Sequence, residues 1–308
     1  MSGARDDRLL PDGVDVPFAD IETALGRGAI GDARGGHGRA LTATIVVVGS
    51  RRRLAEAADA LDRLTTGVRA ILISEGGEAS PTVRVSQRSV AIEGLCPEYW
   101  NNAVAALRLS SLPTVVWWRG GAPNALEGLG DLADRLVLDA EDPVAVWERA
   151  PALVEQTALS DLRWTRLTRW RALMAHFFDI PEVRASAPQL RRLQIEGSDR
   201  HLARLLAGWL SSTLKSTTPM ATELHPGADG GAPLARVRLG DGEQELLLRL
   251  SSSGTCVEAA IRVDGHAEGS RIASLGDQHL SALIGEELRI RSRDPAFERA
   301  LTAAGGIA

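Results

Sequence analysis

The first clear hydrophobic pattern in the chain is a short apolar run at residues 44–48, Thr-Ile-Val-Val-Val. The run ends at Gly49 and Ser50. Most of its residues are β-branched, so we predict a strand that is buried on both faces. Apolar residues then recur at helical spacing from Arg51 to Leu64, and residues 68–73 return to an apolar strand. Together these pieces predict a βαβ unit.

Strand-like and helix-like segments keep alternating as far as Leu159. The pattern predicts further strands within 83–92, at 114–118 and at 135–138, and helices at 97–109, 122–132 and 143–158. Such alternation is typical of a layered α/β domain. We therefore predict a Rossmann-like α/β domain over residues 41–159.

The order of elements changes beyond that point. Helices are predicted at 161–178 and 198–214 around a strand at 189–196, and strand-like runs follow at 234–239, 243–250, 255–263 and 271–275. The pair Asp241-Gly242 favours a tight hairpin turn, and residues 277–288 and 295–304 favour closing helices. We predict an α+β domain with a mainly antiparallel sheet over residues 160–308.

The residues before the first strand carry a different signal. They mix acidic, arginine and glycine residues, and the segment from Gly26 to Arg39 is rich in glycine. Segments of this composition order poorly. We expect residues 1–40 to be a flexible leader.

Composition narrows the class of partner. The chain has 308 residues, 44% of them hydrophobic, and a formal net charge of −5, so it offers no global basic field for nucleic acid or an anionic membrane. Cys96 and Cys256 belong to no paired motif, and no apolar stretch approaches the ~20 residues that span a bilayer. A cytoplasmic location is the expectation that remains.

A nucleotide-binding enzyme of this fold class carries a glycine-rich motif in the turn after its first strand. Here that turn carries Gly49 and Ser50 followed by three arginines, with no G-x-G-x-x-G and no phosphate loop. Ser50 is suited to cap the following helix, which is the commoner role of serine there. The alternative is an anion site formed by Ser50 and Arg51 at the helix N-terminus.

Other catalytic constellations do not appear in the sequence. The six histidines form no H-E-x-x-H and no paired metal spacing, and no serine lies in G-x-S-x-G. We therefore expect no metal, no cofactor and no enzymatic activity.

The distinctive residues are seven tryptophans against a single tyrosine. Trp117 and Trp118 are adjacent near the end of a predicted strand, so their indoles face opposite sides, and Arg119 follows. The carboxyl end of a strand in an open α/β sheet is where ligands and partners tend to dock. Core packing on both faces and docking of a partner both remain open.

A second cluster lies on the helix predicted at 161–178. Trp164 and Trp170 share a broad apolar face, which is mostly core, while Arg166 points elsewhere and Arg171 lies at its margin. Tryptophan and arginine are enriched at interface hot spots. The predicted partner-binding residues are Trp117, Trp118, Arg119, Trp164, Arg166, Trp170 and Arg171.

The segments that contain the two tryptophan clusters resemble those of a known protein family. The segment L-P-T-V-V-W-W-R-G at 112–120, followed by D-L-R-W-T-R-L-T-R-W-R at 161–171, resembles the OpcA family of glucose-6-phosphate dehydrogenase assembly proteins. The later segments L-Q-I-E-G at 193–197 and A-G-W-L at 207–210 agree with it. The resemblance implies a two-domain, non-catalytic subunit of the oxidative pentose phosphate pathway. Such a subunit binds glucose-6-phosphate dehydrogenase and promotes its active oligomer.

Two other functions stay open at this point. The chain could be a sugar-phosphate or nucleotide-binding enzyme that uses the turn at Gly49 and Ser50, which predicts stabilisation by a small ligand alone. It could also be a purely structural part of the dehydrogenase complex.

Overall fold

The structure is a computed structural model, and it describes residues 9–34, 40–76, 80–214, 220–227, 231–241, 243–263, 266–290 and 292–307. The chain divides into two compact units. Unit 1 contains residues 1–161 and 279–293, and unit 2 contains residues 162–278 and 294–308. The chain thus returns to unit 1 late in the sequence, which the local patterns do not indicate.

The strands of the described residues are numbered in chain order. They are β1 (Val14–Asp15), β2 (Leu41–Val48), β3 (Gly67–Glu75), β4 (Thr82–Ser86), β5 (Ser89–Leu95), β6 (Thr114–Trp118), β7 (Arg135–Leu138), β8 (Ala158–Asp161), β9 (Arg192–Gly197), β10 (Ala221–Pro226), β11 (Arg236–Gly240), β12 (Gln244–Leu250), β13 (Cys256–Val263) and β14 (His266–Ser274).

The α-helices of the described residues follow the same numbering. They are α1 (Ile21–Arg34), α2 (Arg51–Asp62), α3 (Trp100–Leu107), α4 (Ala125–Gly130), α5 (Val144–Trp147), α6 (Ala150–Gln156), α7 (Leu162–Arg166), α8 (Thr168–Phe177), α9 (Pro181–Ser186), α10 (Arg200–Leu214), α11 (Leu280–Glu287) and α12 (Pro295–Ala304).

Unit 1 is built on a mostly parallel sheet with the strand order β1-β4-β5-β3-β2-β6-β7-β8. The six strands from β5 to β8 in this order are parallel, and β4 and β1 extend the sheet in antiparallel pairings. Counted along the chain, the parallel strands lie in the order third, second, first, fourth, fifth, sixth, which is the Rossmann arrangement. The predicted Rossmann-like α/β fold is therefore confirmed.

The sequence explains the centre of this sheet. Residues 45–48 of β2 are completely buried, as expected for a β-branched strand covered on both faces. Helix α2 buries Leu54, Ala57 and Leu61, which recur at helical spacing. The apolar pattern thus places β2 at the centre of the sheet with α2 directly after it.

Part of the predicted leader contributes to unit 1. Strand β1 pairs with β4, and α1 follows it, so residues 9–34 contain defined elements. Residues 1–8 and 35–39 of the leader lie outside the described residues. The glycine-rich composition gives no sign of these elements, because a two-residue edge strand has no periodicity to detect.

Unit 2 contains a sheet with the order β10-β9-β11-β12-β13-β14. All neighbouring strands are antiparallel except β9 and β10, so the predicted mainly antiparallel sheet is confirmed. Strands β11 and β12 pair as the predicted hairpin requires, although Gly242 of its turn lies outside the described residues.

The unit 2 sheet is covered unequally on its two faces. Buried and exposed residues alternate along β9 and β11. Helix α10 packs against β9, and α8 packs against β13 and β14. One face of the sheet is therefore covered by helices and the other is open.

The segment predicted as one helix at 161–178 forms two. Helices α7 and α8 are separated by Leu167, whose ψ of −8° departs from the helical value. The predicted apolar stripe is nevertheless core, since Trp164, Leu167, Trp170 and Met174 are buried. The period of the pattern is preserved across the break.

Candidate functional site

The natural place to look for a ligand in unit 1 is the point where the strand order reverses. Strands β2 and β6 are adjacent and parallel, and their carboxyl ends lead into Gly49 and Arg119 respectively. In Rossmann-like sheets the connections after two such strands leave on opposite sides and open a crevice that binds ligands. We call this region the switch-point crevice, formed by residues 49–53 and 119–121.

The side chain of Arg119 fills the switch-point crevice. Its Nε lies 2.8 Å from Oδ2 of Asp139, and its Nη2 lies 3.2 Å from Oε2 of Glu56. Its Nη1 donates a hydrogen bond to the carbonyl of Arg53, and the residue is only 4% exposed. The guanidinium lies 5.0 Å from the centre of the Trp117 ring, within cation–π range.

The charge of Arg119 is balanced by neighbouring carboxylates, of which Asp139 is largely buried and Glu56 is partly exposed. Arg53 also approaches Asp139, with 3.4 Å between Nη2 and Oδ2. Burial alone would raise the pKa of Glu56, but the hydrogen bond from Arg52 and the charge of Arg119 outweigh it and lower that pKa. Four side chains thus form a network of opposite charges, which we call the Arg119 network (Arg53, Glu56, Arg119 and Asp139), and Arg52 joins it at the surface through Glu56.

The backbone of the switch-point crevice is also covered by side chains of the protein itself. A Cβ on Gly49 would lie 3.2 Å from the Cβ of Arg119, so the turn after β2 already packs against the protein's own arginine. Gly121 has a φ of +124° and lies against the rings of Trp100 and Trp118. In a dinucleotide-binding Rossmann fold the glycines of the turn after the first strand instead let the pyrophosphate approach the backbone.

Ser50 and Arg51, the candidate anion-binding residues, lie at the mouth of the crevice. Ser50 takes the N-cap position of α2 with extended backbone angles, but its side chain makes no capping hydrogen bond. The Nε of Arg51 lies 3.2 Å from Oε1 of Glu93. An anion would therefore have to compete with Glu93 for Arg51, and the anion site stays a prediction.

The predicted tryptophans of unit 1 are interior residues. Trp117 and Trp118 are almost fully buried on the opposite faces of β6. Trp118 contacts Trp100, with 6.0 Å between ring centres, and Trp100 donates its indole N–H to the carbonyl of Leu95. The predicted split of the two indoles onto opposite faces is what places them in two different layers of the core.

The second predicted cluster is compact and lies wholly within unit 2. The indole Nε1 of Trp164 donates to Oδ2 of Asp294 at 2.8 Å, and the guanidinium of Arg171 lies 3.5 Å from the centre of the Trp164 ring. The ring of Phe297 packs against Trp164, with 5.6 Å between ring centres. We call this group the Trp164 cluster (Trp164, Arg171, Asp294 and Phe297).

Asp294 links the Trp164 cluster to a helix end. Its Oδ1 accepts hydrogen bonds from the backbone N–H groups of Ala296 and Phe297, so it is the N-cap of α12. One carboxylate therefore holds the indole of Trp164 and the start of α12 together. Sequence reasoning missed Asp294, although an aspartate directly before a proline and an apolar helix is a recognisable capping signal.

The remaining predicted residues differ in exposure. Trp170 is buried, whereas Arg166 and Arg171 are half-buried. Arg166 donates from Nη1 to the carbonyl of Gln278, and neighbouring Arg163 lies 3.2 Å from Asp199, which accepts the N–H of Leu202 near the start of α10. The arginines of α7 are thus tied to backbone and helix ends, and among the predicted residues of unit 2 the side chains that partly reach the surface are those of Arg166 and Arg171.

The described residues also bear on two other classes of function, metal binding and membrane insertion. No group of three or more histidine, cysteine, aspartate or glutamate side chains could hold a metal ion within the described ranges. Among the described helices, none combines the length and apolarity that a bilayer crossing requires.

Comparison with known proteins gives a family for the second half of the chain. Residues 157–301 match a family described as the C-terminal domain of the glucose-6-phosphate dehydrogenase subunit. The matched segment contains the Trp164 cluster completely. It begins just before β8 and ends within α12.

Two curated relatives support the same family. The protein named OxPP cycle protein OpcA of Synechocystis sp. is 27% identical over 241 residues, which cover 64% of this chain and 50% of the relative. Its namesake of Nostoc punctiforme is 28% identical over 249 residues, covering 66% and 53%. The chain spans about half the length of the curated relatives it matches.

The similarity to solved structures concerns the fold alone. The 3-ketoreductase KijD10 of Actinomadura kijaniata, solved with TDP-benzene and NADP, superposes with a TM-score of 0.53 at 11% identity. The match covers 86% of this chain and 95% of the reductase. It agrees with a Rossmann-like unit followed by an α+β unit.

Proposed function

This chain belongs to the OpcA family, and we propose that it is a non-catalytic subunit that binds glucose-6-phosphate dehydrogenase and promotes its active oligomer. The proposal places the chain in the oxidative pentose phosphate cycle. The names of the relatives and of the family domain supply the pathway and the dehydrogenase, and the assembly and activation step is our inference.

The observation that carries the non-catalytic part is the Arg119 network. A Rossmann-like sheet normally offers its switch point to a ligand, but here a buried arginine and its carboxylate partners occupy that position. Displacing Arg119 from the crevice would break its contacts with Asp139, Glu56 and the carbonyl of Arg53 together, so a ligand could enter only by replacing all three. The fold thus retains the layout of a dinucleotide-binding domain while its crevice is used for internal packing.

The Trp164 cluster supports a role in binding a protein. Its indole, guanidinium and carboxylate fix α7, α8 and the start of α12 into one rigid arrangement within the family-matched segment. We infer that the buried tryptophans fix the conformation of the surface formed by α7, α8 and the start of α12. Direct contact with the dehydrogenase then falls to the half-exposed Arg166 and Arg171 at its edge.

An activator of this kind works through differential binding. It must bind the active oligomer of the dehydrogenase more tightly than the inactive species, and a tenfold shift of that equilibrium needs about 1.4 kcal/mol of preference. A single well-packed arginine or aromatic contact is worth at least that much in many interfaces. A small number of contacts is therefore sufficient.

The test is to mix the purified chain with glucose-6-phosphate dehydrogenase of the same organism. We expect the rate of NADP reduction to rise with the amount of chain added, and light scattering to show a larger dehydrogenase species. Arg166→Glu and Arg171→Glu should reduce both effects, whereas Arg149→Glu, on an exposed ion pair of unit 1, should not. Unchanged rate and unchanged mass at every ratio would refute the proposal.

The sugar-phosphate or nucleotide-binding alternative makes a separate prediction. A ligand at Ser50 and Arg51 would raise the melting temperature of the chain without any protein partner. Melting curves with nucleotides and sugar phosphates distinguish the two functions. Stabilisation by such a ligand, abolished by Arg51→Ala, would favour the alternative.

A further inference from the structure

At the centre of the open face of the unit 2 sheet, the outward side chains of β12 and β13 form a regular pattern. Buried residues alternate with outward residues on both strands, so three cross-strand pairs point outward. These pairs are Glu245 with Arg262, Leu247 with Ala260, and Arg249 with Glu258. The centre of the face therefore has an apolar pair between two rows of opposite charges, and Glu245 also lies 2.7 Å from Nε of Arg238 on β11.

The two charged rows have opposite polarity. In one row the acid is on β12 and the base is on β13, since Glu245 is opposite Arg262. In the other row the base is on β12 and the acid is on β13, and Nε of Arg249 lies 2.8 Å from Oε2 of Glu258. Each strand thus presents one positive and one negative side chain on either side of the apolar pair.

We propose that this face is the contact surface of a two-fold symmetric dimer of the chain. A two-fold axis that runs parallel to the strands between β12 and β13 places β12 of one copy over β13 of the other. Arg249 then faces Glu258 of the second copy, and Glu245 faces Arg262 of the second copy. Leu247 meets Ala260 of the second copy at the centre. Isologous interfaces require a patch that is complementary to itself in this way.

The dimensions suit such a contact. Packed sheets lie about 10 Å apart, a gap that arginine and glutamate side chains from both sides can fill. Guanidinium groups can bind two carboxylates at once, so Arg249 can keep its intrachain partner while it reaches the second copy. The same axis brings Ile272 of β14, which is 71% exposed beside Glu258, over β11 of the second copy.

Charge complementarity selects a second copy as the occupant. A partner of uniform charge would meet a side chain of its own sign in each of the two rows, because the signs alternate along and across the strands. The same face, rotated about the axis, supplies the inverse charge at each of the four charged positions of β12 and β13. This inference does not depend on the proposed function, because it concerns the chain alone.

The first measurement is the mass of the full chain by light scattering and sedimentation velocity over a wide range of concentrations. We expect a species of twice the chain mass of 32.8 kDa that dissociates on dilution. A single-chain mass at every concentration, including the highest that remains soluble, would overturn the proposal.

Charge reversals test the geometry. Arg249→Glu places like charges opposite each other at two symmetry-related positions and should weaken the dimer about tenfold or more. The double variant Arg249→Glu, Glu258→Arg restores the inverse pattern and should restore the dimer. Arg149→Glu, which removes an exposed ion pair in unit 1, is the matched control and should leave the mass unchanged.

A steric variant separates the interface from the fold. Ala260→Arg adds a long side chain at the centre of the open face and should give single chains with unchanged circular dichroism. Because this substitution points away from the buried side of the sheet, it decides the question even if Arg249→Glu impairs folding. A dimer that persists in Ala260→Arg would show that another surface holds the copies together.

Discussion

Arg135 and Glu287 lie 152 positions apart in the sequence and form a buried ion pair within unit 1. Nη2 of Arg135 lies 2.7 Å from Oε2 of Glu287, and the two side chains are 4% and 1% exposed. A further hydrogen bond runs from Nη1 of Arg135 to the carbonyl of Ser292. The pair therefore fastens the returning segment, residues 279–293, to the start of β7.

Glu287→Ala should be strongly destabilising. It leaves the guanidinium of Arg135 buried without its carboxylate, and breaking one side of a buried pair typically costs about 3–5 kcal/mol. Urea unfolding followed by tryptophan fluorescence measures the loss. Glu286→Ala, at the exposed neighbouring position, should stay within about 0.5 kcal/mol of the wild type. Equal effects of the two substitutions would contradict a stabilising role for the pair.

Replacing both partners should recover much of the loss. The combination Arg135→Met and Glu287→Leu removes the buried charges together, and such exchanges are often neutral or stabilising. The double variant should therefore unfold at a higher urea concentration than Glu287→Ala. A double variant no more stable than the single one would contradict the idea that the uncompensated charge of Arg135 causes the loss.

The Arg119 network predicts a pH-dependent stability. A carboxyl whose pKa is lowered on folding, such as Glu56, stabilises the native state above its unfolded pKa, and this contribution is lost as the pH falls through the lowered value. Arg119→Met removes the cation while the partial burial remains, so the pKa of Glu56 should rise. Carboxyl NMR titration measures the shift directly. An unchanged Glu56 titration would show that Arg52 alone sets it.

The fold is predictable from sequence wherever the local pattern matches the tertiary structure. Residues 44–48 form the central strand and α2 follows, because β-branched burial and helical spacing are local properties. The return of residues 279–293 to unit 1 depends on a side-chain pair between Arg135 and Glu287, which no local periodicity encodes. The break at Leu167 escapes prediction for the related reason that the apolar spacing continues through it.

The sequence predicts which residues belong to the candidate site better than it predicts what those residues do. The sequence singles out Trp117, Trp118, Trp164 and Trp170, and all four are buried. It cannot show that Arg119 fills the switch-point crevice, because the partners of that arginine come from separate elements. Whether the predicted residues contact the dehydrogenase stays a prediction, and the buried indoles limit direct contact to neighbouring exposed atoms.

Asp62 is expected to affect the pH dependence of stability in the opposite direction to Glu56. Partial burial and the neighbouring charge of Asp59 raise its pKa, and Arg88 only partly offsets them. The native state then binds the proton more tightly than the unfolded chain, so stability declines as the pH rises through the raised pKa. Asp62 also ends α2, where a negative charge opposes the helix dipole.

Asp62→Asn should therefore stabilise the protein at neutral pH, by about 0.3–1 kcal/mol from the helix-dipole contribution alone. Thermal melts at neutral and acid pH test this directly. The gain should shrink at acid pH, where the wild-type carboxyl is protonated as well. A gain of the same size at both pH values would mean that the charge of Asp62 is not its origin.

The crossing of α10 and α12 in unit 2 depends on a glycine. A Cβ on Gly208 would lie 2.2 Å from the carbonyl oxygen of Ala300 and 2.7 Å from the backbone N of Ala304, which no rotamer change can relieve. Gly208→Ala must therefore push the two helices apart, and overpacking of this kind costs about 1–3 kcal/mol. Gly26→Ala is the matched control, because its Cβ would meet nothing within 4 Å and alanine favours helix α1. Unfolding in urea should show a clear loss for the first variant and no loss for the second. A Gly208→Ala protein as stable as Gly26→Ala would show that the helices do not need this close approach.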